Sequence, residues 1–144
     1  MSITISIVDP YKVGPVARLV SEWAGNIRLF KSQPDPAHIV PWISQIIRDG
    51  YVIKANNGDR LVGTAGMEVA RVPWAPWEQY WVESFFCVTP GYMHNGVPEA
   101  MLTALKLKAA RDNSTLMLTM FGSGDVGGAD PVGSVYSFGS PEVA

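Results

Sequence analysis

The sequence predicts an α/β domain, a mixed sheet with helices on its faces, and three observations predict it. "SITISIV" at the start alternates polar and β-branched residues at a strand's period of two. Two helix-periodic stretches follow before any second strand. Further on, "WVESFFCVTPGYMHNGVPEAMLTALKLKAAR" (81–111) reads as strand, tight turn, polar loop and amphipathic helix, and it leads into another apolar strand, the pattern of a right-handed parallel crossover.

The elements follow in order. Ser2 to Val8 is a half-buried strand ended by Asp9-Pro10. From Tyr11 to Ala24 the residues Val13, Val16, Ala17, Val20, Trp23 and Ala24 recur at helical spacing, with Gly25-Asn26 as the stop. In the next stretch Asp35 is placed to cap a helix with Pro36 at its first position. Its apolar stripe is Ile39, Trp42, Ile43, Ile46 and Ile47, Gly50 ends it, and Pro41 belongs in the first turn or at a kink. "YVIKA" and "RLVGTAGMEVARV" flank "NNGD", a hairpin in which Asn and Gly supply the positive φ angles of the turn.

"PWAPW" reads as a proline-fixed loop before a fourth strand from Glu78 to Val88. The third helix carries Val97, Ala100, Met101, Ala104, Leu105 and Lys108 on one face, and "STLMLTMF" reads as a buried fifth strand. The domain therefore spans 1–121. Residues 122–144 form a glycine-rich tail with one further strand candidate at 132–138, and a tail of this composition frays unless a partner pins it.

At 144 residues with 47% hydrophobic side chains, the chain buries roughly 70% of its unfolded surface without help from disulfides or metal. A net charge of −2, from 11 basic and 13 acidic residues, offers nothing to neutralise a nucleic-acid backbone. The single cysteine, Cys87, excludes an internal disulfide, and neither His38 nor His94 has a metal-ligand neighbour at the right spacing. With no signal-peptide pattern and no apolar run of about 18 residues, the sequence is expected to be cytoplasmic, in a reducing compartment and off the membrane.

The segment "VESFFCVTPGYMHNGVPEAML" resembles the GNAT superfamily of acetyl-coenzyme A dependent N-acetyltransferases, whose strand end and loop read V-x-P-x-[YF]-[RQ]-x-x-G-x-[GA]-x-x-L-L. Val88, Pro90, Tyr92, Gly96, Ala100, Met101 and Leu102 match; Met93 stands where arginine or glutamine is expected, and Pro98 where glycine or alanine is expected. The resemblance implies a GNAT-like fold with a shortened region after the fifth strand. It implies Glu83 as general base, provided burial raises its pKa, although the alternation also allows a glutamate on a solvated strand face shared with Trp81 and Phe85.

It further implies a cofactor site at Phe86, Cys87 and Val88 for the pantetheine arm and at His94, Asn95, Gly96 and Val97 for the pyrophosphate, held by amides and the helix dipole. Cys87 reads equally as a small buried hydrophobe, and His94 as a solvent-facing loop residue. Lys106, Lys108 and Arg111 suit a helix C-terminus, or the coenzyme's 3′-phosphate. The family's thiolate-protonating tyrosine has no counterpart on a helix after the fifth strand; Tyr136 lies in the tail.

Pro98 removes an amide donor and Met93 a side-chain donor, so acetyl-coenzyme A is expected to bind weakly or not at all. The aromatic run Trp74, Trp77, Tyr80 and Trp81 reads as an acceptor wall, as a loop covering its own core, or as an interaction patch. Two functions follow. One is a binding or assembly subunit, joined to a protein partner or another copy through the aromatic loop and the tail; small GNAT-like proteins of tailed bacteriophages make a virion component one form of it. The other is an active N-acetyltransferase using Glu83.

Overall fold

The computed structural model describes residues 2–27 and 32–118. The expected strand at 132–138, the tail and Tyr136 lie outside the described residues. The elements run β1 (Ile3–Ile7), α1 (Gly14–Gly25), α2 (Pro36–Asp49), β2 (Tyr51–Asn57), β3 (Arg60–Val72), β4 (Ala75–Val88), α3 (Val97–Arg111) and β5 (Thr115–Met117), the predicted order β1-α1-α2-β2-β3-β4-α3-β5. The sheet is mixed, with strand order 1-2-3-4-5, antiparallel throughout except for the parallel β4 and β5 joined by α3.

Two cores share this sheet. On one face α1 and α2 cover Val8, Val52, Phe85 and Cys87 with Val16, Val20, Ile39, Ile43 and Ile46. On the other, α3 presses Val97, Met101, Leu105 and Ala109, one residue per turn, onto Ile53, Ala55, Ala65, Met67 and Trp81. Asp35 caps α2 by accepting the Ala37 amide at 3.0 Å. Pro41 lies inside α2, past its first turn, on the exposed side, so the Ala37 carbonyl loses its intrahelical donor to solvent.

Several expectations are corrected. "PWAPW" is not a loop: Val72 pairs with Ala75, so β3 and β4 run on as a two-stranded arm past the last residue paired to β2, Met67. Proline is tolerated at Pro76 because that stretch of β4 is an edge, β5 pairing only with Tyr80–Val82 among the described residues. Arg71 donates to the Pro76 carbonyl at 2.8 Å, satisfying a group that lies beside a register slip. In the β2–β3 turn only Gly58 has a positive φ; Asn57 keeps ordinary backbone. Among the described residues β5 spans Thr115–Met117 at the edge of the sheet, and it is not buried there, with Met117 exposed.

Candidate functional site

The fourth strand is irregular at the residue that matters most. Gly66 pairs with Phe85 but Met67 with Glu83, so Ser84 is an extra residue on β4, a bulge. Burial alternates without interruption from Trp81 to Cys87, yet Trp81 belongs to the α3 core and Phe85 to the α1/α2 core. The expectation that Trp81, Glu83 and Phe85 share one face is therefore wrong, because the bulge moves Phe85 to the opposite side. Phe85 fills the space left by Gly66, whose missing Cβ would lie 2.5 Å from the Phe85 ring, and packs edge-on against Trp42 with centroids 5.6 Å apart.

Glu83 sits at this bulge, 7% exposed, which removes the solvated-face alternative. Beside it, Ser84 donates its hydroxyl to Glu68 on β3 at 2.7 Å, tying the extra residue to the facing strand. Beyond Val82 the outer edge of β4 carries no β5 pairing among the described residues, and the backbone from Ser84 to Val88 is the part of the strand that a ligand would lie along. The Cys87 side chain is not: it is fully buried, and burial first, with the Glu83 charge second, pushes its thiol well above the ordinary range. It is a small core residue, and only its backbone belongs to the edge. Phe86 and Val88 are half-buried against the α3 core.

Above the strand, Pro90 and Gly91 make the predicted turn, with the Tyr92 amide bonded to the Thr89 carbonyl at 3.0 Å and Gly91 at φ 94°. The Asn95 side-chain amide donates back to the Gly91 carbonyl at 3.1 Å, and Gly96 at φ 81° leads into α3. Tyr92 turns inward: its hydroxyl accepts from Asn57 at 3.2 Å. Val97 is likewise core, while His94, Asn95 and Gly96 are exposed. The amides of His94 and Asn95 lie in the turn before α3, and those of Gly96 and Val97 stand at its start, where a helix supplies no intrahelical acceptor.

The two departures from the motif can now be placed. Met93 is 51% exposed and its side chain points away from the core. Pro98 stands in the first turn of α3, where its fixed φ suits the helix and a missing amide breaks no intrahelical bond.

The aromatic run divides. Trp74 and Trp77 are 84% and 81% exposed at the end of the arm, so they do not cover the core. Tyr80 is half-buried. Trp81 is no interaction residue: it is buried, and its indole nitrogen donates to Asp112 at 2.9 Å. Lys108 is committed to the same cluster, over the rings of Tyr51 and Trp81 at 5.6 and 5.9 Å, and α3 carries it about 16 Å from the helix start. That position removes Lys108 from any phosphate at the loop.

Sequence reasoning did not find Ser84, Glu68, Asn57 or Arg60. Their partners are far along the chain, and no local pattern marks them. Among the described residues there is no group of three metal-ligating side chains and no helix long and apolar enough to cross a membrane.

No protein-family model and no curated protein matches the sequence. Solved structures do resemble the fold. A GNAT family acetyltransferase from Staphylococcus aureus superposes with a TM-score of 0.69 at 15% identity, covering 95% of this chain and 98% of its own. A ribosomal-protein-alanine N-acetyltransferase from Brucella melitensis gives 0.69 at 17% identity, covering 96% and 100%. An aminoglycoside acetyltransferase from a soil metagenomic sample, in complex with sisomicin, gives 0.63 at 14% identity over 83% and 78%. With the five-stranded mixed sheet, the β4 bulge and the strand-loop-helix unit above it, the chain has the fold of the GNAT acetyltransferases.

Proposed function

We propose that the protein is an acetyl-coenzyme A dependent N-acetyltransferase. The observation that carries the proposal is the buried Glu83 at the bulge of β4, on the strand that leads through the Pro90-Gly91 turn into the start of α3. The weight given from sequence to an assembly role rested on Met93 and Pro98. Pro98 now bears less, since in the first turn of α3 its missing amide breaks no intrahelical bond.

The residues fit the cofactor. The amides of the turn and helix start, His94 to Val97, suit a pyrophosphate, and nothing crowds Gly91 or Gly96, where an added Cβ would meet no atom within 4 Å. The backbone of Phe86, Cys87 and Val88 suits the amide-bearing pantetheine arm. Bound acetyl-coenzyme A supplies an activated acyl thioester. Glu83 takes the proton from the incoming amine. A primary amine as acceptor is consistent with the fold relatives named for a ribosomal-protein alanine and for aminoglycosides.

Calorimetric titration with acetyl-coenzyme A tests the reading, with micromolar affinity expected; no detectable binding at millimolar ligand would overturn it. A second reading, docking of a protein partner, keeps one observation, the exposed Trp74 and Trp77. Sedimentation of the protein and of its W74A/W77A variant checks it: an unaltered protein that stays monomeric at high concentration counts against self-association there.

A further inference from the structure

We infer that Arg60, in the β2–β3 turn, is a ligand of the coenzyme's pyrophosphate and supplies the cationic side chain that position 93 lacks. The inference rests on the acetyl-coenzyme A reading above. Arg60 ends the two-residue turn after Gly58 and is exposed, and among the described residues it makes no ion pair, although Asp59 is its neighbour in sequence. Its guanidinium carbon lies 5.6 Å from the centroid of the Tyr92 ring.

That ring is a fixed platform. Tyr92 is half-buried against the α3 core, and its hydroxyl is held by Asn57, the residue at the other end of the same turn. The hairpin and the cofactor loop are thus fastened together at two points, through Asn57 to the hydroxyl and through Arg60 to the ring face. The start of α3 lies at the same end of the molecule: Gly63, three residues after Arg60, sits under Val97, and a Cβ there would be 3.3 Å from the Val97 side chain. Arg60, Tyr92 and the amides of His94 to Val97 therefore belong to one small region.

The chemistry suits phosphate. A guanidinium laid on an aromatic face keeps its N–H donors at the rim, free to grip two oxygens of one phosphate, and stacking reduces the rotamer freedom lost on binding. The other cations considered for phosphate, Lys106, Lys108 and Arg111, lie in the last turns of α3, and Lys108 is held there over the Tyr51 and Trp81 rings. A motif that asks for a basic residue next to Tyr92 in sequence is here answered by one next to Tyr92 in space.

The test is calorimetric binding of acetyl-coenzyme A, and separately of acetyl-pantetheine, which has no phosphates, to the protein and its Arg60→Ala and Arg60→Lys forms. Arg60→Ala should weaken acetyl-coenzyme A by about tenfold and lessen its salt dependence. Arg60→Lys should recover part of the loss, while acetyl-pantetheine binds all three alike. Equal affinity of Arg60→Ala and the unaltered protein for acetyl-coenzyme A would overturn this inference alone. So would an equal loss for acetyl-pantetheine, which would mean that Arg60 acts through the fold. No binding by the unaltered protein would overturn both readings.

Discussion

Two adjoining stretches, Glu83 to Val88 on β4 and Thr89 to Val97 in the loop, divide the proposed site between them and offer opposite parts of their residues. On the strand, Glu83, Phe85 and Cys87 are buried, and side-chain identity decides what the segment can do. In the loop, Met93, His94, Asn95 and Gly96 are exposed, and the useful groups are the amides. A substitution in the loop that keeps the backbone path is therefore cheap. The same substitution on the strand is not. This difference is why Met93 weighs less in the structure than in the sequence.

The largest expected effect lies on the strand side. Glu83→Gln should lower turnover by about 10²–10⁴-fold, the range for a lost general base, with acetyl-coenzyme A affinity nearly unchanged. Steady-state kinetics beside calorimetry separates the two. Turnover that stays within threefold would take Glu83 out of the mechanism and leave the strand with a merely structural carboxylate.

The next effect tests the loop side against itself. At Gly96 an alanine meets no atom within 4 Å, so its cost is the backbone alone, φ 81° being disfavoured for a residue with a Cβ by about 1–2 kcal/mol. Gly96→Ala should lower stability by about that much and loosen acetyl-coenzyme A binding as the amides shift. Met93→Ala should change binding less than twofold. Denaturant midpoints and calorimetry on both variants check the order, and the reverse order would mean that side chains govern the loop after all.

What could be read from the sequence follows the same division between local and distant causes. The strand alternation, the helical stripes, the Asp35 cap and the Pro90-Gly91 turn are settled within a few residues, and they are where the sequence placed them. The register slip at Ser84 depends on how the Phe85 ring seats over Gly66 on another strand, and no pattern within β4 reveals it. Trp81 looked like part of an aromatic surface because Trp74 and Trp77 are; Asp112, 31 residues away, holds it inside. The Asn57–Tyr92 contact, which brings Arg60 to the loop, spans 35 residues. Glu83 stands out in the sequence only through the family resemblance, since the strand's own phase also allowed a solvated face, and its burial at the bulge is set from across the sheet.

The smallest expected effect probes how dry the strand side is. Burial, and to a lesser degree the Glu83 charge, keep the Cys87 thiol protonated in the folded protein, whereas in the unfolded chain it ionises near its ordinary value of 9.0. Above about pH 9 the unfolded state therefore binds fewer protons than the native state, and stability falls as pH rises, by up to about 1.4 kcal/mol per unit from this group. Below that pH the group contributes no slope. Lysines and tyrosines titrate in the same window, so the quantity to measure is the difference in urea midpoint between the protein and Cys87→Ala from pH 8 to 10.5. Glu83→Gln discriminates the causes: with burial the greater, most of the slope should survive it. A slope that disappears with the carboxylate would mean that charge, not exclusion of water, dominates beneath the bulge, and the contrast between a dry strand and a wet loop would lose its physical basis.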